Sequence, residues 1–251
     1  FFPEERRAVA TFFNLRIPAR HRASKIHFEM RPRPSSPWFR FEYPEPHCNI
    51  AESKSLAHTG PFGAEPDWMD WIQHYASFHS TNPALLAGLI AQESAFNPKA
   101  ISWAKAIGLT QITPIADRQL QSVNENWPRA AEIESMPTPI VKALIATEQL
   151  TSKEDWRLDP LKSIQGSLAY LDYLKSYWNN KDSSRLLLKY LGNERQTEVL
   201  LASYNSGASR VKRALMEKGK DYLAHHELQE AYNYVRKVVS YCDAFTGEPH
   251  E

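Results

Sequence analysis

The sequence predicts a mainly α-helical fold, and three observations carry that expectation. From Asp67 onward, apolar residues recur at spacings of three and four. Two pairs, Asn82-Pro83 and Asp159-Pro160, place a capping side chain directly before a proline suited to the first helical turn. No run of alternating apolar and polar residues is long enough to specify a sheet.

Residues 1–66 differ in composition from residues 67–251. They hold nine of the 17 prolines and eight of the 11 phenylalanines. Between residues 1 and 60 there are ten Lys/Arg against six Asp/Glu, a net +4, so the rest of the chain carries −3 of the overall +1. A Pro-rich basic leader alone reads as a disordered linker, but aromatic rings gain by leaving water. The expectation is an extended Pro- and Phe-rich N-terminal arm packed on the main domain, the alternative being a tail that binds another surface.

The first helix starts at Asp67 and runs to Phe78, with Trp68, Trp71, Ile72 and Tyr75 sharing a face. The second opens at Asn82-Pro83 and continues through Ala84-Leu-Leu-Ala-Gly-Leu-Ile-Ala-Gln-Glu-Ser94 as a buried helix. Pro128, Pro137 and Pro139 break residues 115–158, which allow short helices near Ile115–Val123 and Ile140–Gln149. Asp159-Pro160 opens a further helix with Ile164, Leu168, Leu171 and Leu174 on one stripe. Thr197 to Asn205 gives another, stopped by Gly207. The last, about Glu227 to Ala244, turns Val235, Val238, Val239 and Cys242 inward.

A chain of 251 residues can bury a core without metals or disulfides. The longest apolar run, Ala84 to Ala91, is too short to cross a bilayer, so no transmembrane segment is expected. A formal charge of +1 argues against a nucleic-acid partner, and two cysteines exclude a disulfide scaffold or Cys-rich zinc module. No His-Glu-x-x-His, Gly-x-Ser-x-Gly or phosphate-binding Gly loop occurs. Adjacent His225 and His226 would point about 100° apart on a helix, poor geometry for joint ligation. No metal and no cofactor is expected.

Glu93 is the most informative residue. On the second helix it shares a face with Leu86, Leu89 and Ile90, which must point into the core. A carboxyl at the core's edge is desolvated, its pKa rises, and it becomes a general acid usable near neutral pH. The plain alternative is a glutamate in a last helical turn that swings into water.

The residues around it form a pattern. Glu93-Ser94-Ala95-Phe96-Asn97-Pro98-Lys99-Ala100-Ile101-Ser102 is followed by Ala106-Ile107-Gly108-Leu109-Thr110-Gln111-Ile112-Thr113-Pro114. Later come Ala202-Ser203-Tyr204-Asn205-Ser206-Gly207, then Glu230 with Asn233-Tyr234-Val235. In this order the segments resemble the soluble lytic transglycosylase family, murein-cleaving relatives of goose-type lysozyme. The family's patterns are E-S-x-F-x-P-x-A-x-S, G-A-x-G-L-M-Q, A-x-Y-N-x-G and E-T-x-x-Y-V. The resemblance covers about residues 67–114 and 159–245, leaving 115–158 as an insertion.

The resemblance implies a lysozyme-like α-helical catalytic domain over residues 67–251. Its substrate would be the β-1,4 bond between N-acetylmuramic acid and N-acetylglucosamine in peptidoglycan glycan strands. By carry-over Glu93 is the catalytic acid, Ser102 and Gln111 line the cleft, Tyr204 and Asn205 hold carboxylate and substrate, and Glu230 and Tyr234 close the far side. Three positions depart from the family: Thr110 stands where Met is usual, Lys105 for Gly, and Trp103 for Pro. Thr110 is expected to form a smaller, more polar cleft wall.

Glycoside cleavage usually takes two carboxylates, and no second acid is tied to Glu93 by spacing. A lone acid suits intramolecular attack by the sugar's own 6-hydroxyl, giving a 1,6-anhydro product. The rival readings are a hydrolase on the same scaffold that uses water, and a non-catalytic glycan-binding protein. The acids Glu125, Glu132, Glu134, Glu154 and Asp155 in the insertion raise the further idea of tuning to deacetylated glycan. A monomer is expected. The chain begins at Phe1 rather than Met, so export with a removed signal peptide is the expected localisation. Under export Cys48 and Cys242 could pair and clamp the arm; two buried thiols are the alternative.

Overall fold

The structure is a computed structural model. It describes the backbone of Lys25–Met30 and Phe39–Pro44, residues 46, 48–52, 56 and 62, and then 64–121, 124–192 and 195–246. By compactness the chain divides into Phe1–Glu45 and a larger unit running from Pro46 to Pro249. The division thus falls about 20 residues before the expected boundary at 66.

In the smaller unit, β1 (Lys25–Met30) and β2 (Phe39–Pro44) pair antiparallel, with Phe28 opposite Phe41. The sequence reading specified no sheet here; the fold as a whole is mainly α, as expected. Ile26, Phe28 and Met30 alternate with His27 and Glu29, and Phe39, Phe41 and Tyr43 alternate with Arg40 and Glu42. The period-two signal is present in both six-residue runs. The prolines between them hid it.

The larger unit is built around α2 (Pro83–Ser94). Its residues from Pro83 to Ala91 are all buried, as a helix apolar on every side must be. Asn82 caps it through a bond from the Ala84 N–H at 3.0 Å, and left-handed Ala95 stops it. The closing helix α9 (Gln229–Phe245) lies against α2. Around the pair come α1 (Pro66–Phe78), α5 (Pro160–Asn179), α7 (Gln196–Ser206) and α8 (Ala208–Lys218). Within this unit the end of the arm is part of the core: Cys48, Ile50 and Leu56 are buried, and Phe62 packs its ring against Phe96, Tyr241 and Phe245. Cys48 and Cys242 form a disulfide, Cα to Cα 6.2 Å. The packing of residues 1–45, also expected on the body, falls largely outside the described residues.

Residues 115–158 form a small satellite beside the main core, which Ala116, Leu120 and Trp156 join. α3 (Pro114–Leu120) and α4 (Thr138–Ala146) flank it, and Ile107, Ala130, Ile133, Val141, Ile145, Leu150 and Leu158 make a second apolar cluster. Two helices were not expected from the sequence: α6 (Lys181–Tyr190), capped by Asn180, and α8. Both are strongly amphipathic surface helices whose apolar stripes are short, so neighbouring polar residues dominate their reading. Among the described residues no helix is long and apolar enough to cross a membrane.

Candidate active site

Glu93 sits in the last turn of α2, where a wholly apolar helix meets the surface. Its side chain is half-buried, and the Tyr234 hydroxyl on α9 donates to its Oε1 at 2.6 Å. Burial pushes the Glu93 carboxyl up from the usual 4.5 to about 8; the Tyr234 bond pulls it down, and the charge of Glu230 adds to the rise. A carboxyl with that value is mostly protonated at pH 7. The chemistry open to it is proton donation.

The two residues after α2, Ala95 and Phe96, are both left-handed, which turns the chain sharply out of the helix. Phe96 is buried and anchors the turn. The chain then folds back as a tight loop, with Gly108 N–H on Ala100 O at 2.9 Å and a bridge between Ile101 and Ile107. Gly108 has φ +81, and a Cβ there would stand 1.8 Å from Arg157 O, so only glycine fits. Lys105 has φ +60, which gives a physical reason for the family's glycine at that place; here the lysine ties itself down by donating from Nζ to Glu134 O at 2.9 Å.

Gln111 is left-handed too, and its Nε2 donates to Ala100 O and Gly108 O. That fixes the amide with its nitrogen occupied, leaving the carbonyl oxygen as the end for a ligand. Ser102 Oγ accepts from the Ala106 N–H and Asn205 Oδ1 from the Ser206 hydroxyl, so both side chains are held locally.

Several expected roles change. Thr110 does not form a cleft wall: it is fully buried, and its hydroxyl bonds Ser163 O at 3.1 Å and Ser163 Oγ at 2.9 Å. Ser163 supplies the polar partner that a buried threonine needs where the family has methionine. Tyr204 does not hold the carboxylate by a hydrogen bond. Its hydroxyl donates to Thr110 O at 2.8 Å and so pins the loop, although the ring lies close enough for the Glu93 charge to help raise its pKa. The residue that holds the carboxyl is Tyr234, expected only to close the far side. Glu230, exposed one turn earlier on α9, is a second acid within electrostatic reach of Glu93.

The sequence reading missed the supports of this loop. Ser94 Oγ donates to Leu109 O at 2.8 Å, tying the residue beside Glu93 to the loop. Arg157, buried with Asp155, binds it through Nε to Oδ1 at 2.9 Å and Nη2 to Oδ2 at 2.7 Å. Its Nη1 reaches Lys105 O and Ile112 O, the two ends of the turn. Arg157→Met strands the Asp155 charge and should lower stability by about 3–5 kcal/mol in a urea melt. Adding Asp155→Leu should recover most of that loss. Among the described residues no group of three His, Cys, Asp or Glu is placed to hold a metal.

Comparison with known proteins places part of the chain beside characterised relatives. Curated relatives include the membrane-bound lytic murein transglycosylase C of Histophilus somni, 25% identical over 150 residues, 58% of this chain. That of Actinobacillus pleuropneumoniae is 40% identical over 47 residues, 19% of this chain and 13% of the relative. The chain spans about a third (32%) of the Histophilus protein's length. Among solved structures, an inactive mutant of lytic transglycosylase Slt from Pseudomonas aeruginosa superposes with a TM-score of 0.44 at 21% identity, covering 69% of this chain and 23% of that one. The family model described as the Transglycosylase SLT domain matches residues 70–226, well over half of the chain, which therefore belongs to the transglycosylase SLT domain family.

Proposed function

We propose that this protein cleaves the β-1,4 bond between N-acetylmuramic acid and N-acetylglucosamine in peptidoglycan, with Glu93 as its single acid and base. The observation that carries this reading is the Glu93 carboxyl at the end of an apolar helix, bonded by Tyr234 and desolvated so that its pKa is pushed up to about 8. Glu93 gives its proton to the bridging oxygen, the glycosidic bond breaks, and the sugar becomes an oxocarbenium-like cation. The Glu93 carboxylate then takes the proton of the sugar's 6-hydroxyl, whose oxygen closes a 1,6-anhydro ring. Glu93 ends the cycle protonated, as it began. The free carbonyl end of the Gln111 amide supplies a negative dipole for the cation.

A hydrolytic outcome is the second reading, favoured by the Glu230 carboxylate near Glu93, which could orient an attacking water. Mass spectrometry of muropeptides released from purified sacculi separates the two. The anhydro product is lighter by one water; a reducing-end product of full mass overturns the transglycosylase reading. Export fits the Cys48–Cys242 disulfide, since such bonds persist in oxidising compartments, and the protein is expected to act as a monomer.

The pH dependence follows from the direction of each effect. Activity requires protonated Glu93, so the rate falls as pH rises through about 8. Tyr234 lowers the Glu93 pKa, so Tyr234→Phe should move this alkaline limb upward by about one unit, the scale of a hydrogen bond to a charged group. The plateau rate should fall about tenfold as the carboxyl loses its orientation. A pH–rate profile on solubilised glycan strands checks both, and a limb that moves downward contradicts the assignment.

A further inference from the structure

The turn Ser102–Ala106 carries Trp103, 88% exposed and the most exposed of the large apolar side chains described. The backbone beneath it is tightly held. Lys105 N–H donates to Ser102 O at 3.0 Å, Ser102 N–H to Ala106 O at 3.0 Å, and Ala106 N–H to Ser102 Oγ at 3.1 Å. Two tethers bind the tip to the neighbouring satellite: Thr138 Oγ1 donates to Trp103 O, and Lys105 Nζ to Glu134 O. The fixed turn holds the base of the indole in place, and the ring stands in water.

The same short segment holds Ser102, expected to line the cleft, and is tied to Gln111. Ser102 precedes Trp103 directly, and Ala100 O anchors the Gln111 amide. Of the other exposed large apolar side chains, Phe78, Leu188 and Met216 lie on α1, α6 and α8, and the aliphatic Ile115 and Ile140 on α3 and α4. The turn itself presents one aromatic ring, whereas a protein partner covers a broad patch. A single ring suits a single sugar, whose apolar C–H face stacks on an aromatic face.

We infer that Trp103 is a stacking platform for one N-acetylhexosamine ring of the glycan strand, next to the ring that would meet Gln111. The inference deepens the proposed function and rests on it. Glycan chemistry is favoured over the peptide stem because the platform offers a flat apolar face and no charge of its own.

The test uses the full chain with Glu93→Gln, so that ligand is bound without being cleaved, and a β-1,4-linked N-acetylglucosamine tetramer as probe. Isothermal titration should show Trp103→Ala weakening binding about tenfold, which is about 1.4 kcal/mol. Trp103→Phe should lose less, because a smaller ring still stacks. Phe78→Ala, another exposed aromatic at the end of α1, should leave binding unchanged. The emission of an exposed indole should also shift to the blue on adding the tetramer, and Trp103→Ala should remove that shift. If Glu93→Gln binds the tetramer equally well with and without Trp103, the platform is overturned and the proposed function stands. If Glu93→Gln binds no tetramer at all, both fall together.

Discussion

Glu93→Gln should lower the turnover of purified sacculi by about 10²–10⁴-fold while the protein stays folded. The amide keeps the shape of the carboxyl and can still meet the Tyr234 hydroxyl at its oxygen. It has no proton to give to a leaving oxygen and cannot take one from a sugar hydroxyl. Equal clearance of cell-wall suspensions by wild type and variant would falsify the enzymatic reading and favour a non-catalytic glycan-binding protein. Stability provides a second readout. The Glu93 pKa is raised in the folded state, so folding binds the proton more tightly than the unfolded chain does. The contribution is complete below about 4.5 and is lost as pH rises to about 8, by up to about 5 kcal/mol. In Glu93→Gln that part of the pH dependence disappears. Urea melts at pH 5 and pH 9 should therefore converge in the variant and diverge in wild type.

How much of this was legible in the sequence depends on the range of each interaction. The setting of Glu93 was legible because helical spacing is local: Leu86, Leu89 and Ile90 commit the face on which it lies. The order of the Glu93, Gly108, Tyr204-Asn205 and Tyr234 motifs was legible for the same reason, as each is a short string. Which tyrosine touches the carboxyl was not, because Tyr234 is 141 residues from Glu93 and only the packing of α9 on α2 joins them. Thr110 was misread because its partner Ser163 lies 53 residues away on α5. The Asp155–Arg157 pair was invisible as a loop support, since nothing local distinguishes a buried charged pair from a solvated one. The hairpin Lys25–Met30/Phe39–Pro44 is the reverse case. Its alternation stood in plain view, and proline content was given too much weight.

Gly88→Ala should be damaging out of proportion to the single methyl it adds. A Cβ at that position would stand 2.7 Å from Cys242 N and 2.8 Å from Val238 O, both backbone atoms of α9. Backbone cannot rotate aside as a side chain can, so the two helices must separate. Cys242 is also bonded to Cys48, and that tether resists the shift. Alanine favours helix over glycine by about 1 kcal/mol, whereas overpacking at a close contact costs about 1–3 kcal/mol or more. Because the clash meets backbone on α9, the upper end of that range applies and the net effect is a loss of about 2 kcal/mol in a denaturant melt. The functional effect should be larger than the stability effect. α2 carries Glu93 and α9 carries Tyr234, so moving the helices apart stretches the 2.6 Å bond that orients the acid. Hydrogen bonds weaken quickly with distance, and proton transfer tolerates little misplacement. The folded fraction should then show the signature of Tyr234→Phe, a lower plateau rate with the alkaline limb displaced upward. A Gly88→Ala protein that melts and turns over like wild type would mean that α2 and α9 do not approach this closely, and the means by which the fold holds its acid would have to lie elsewhere.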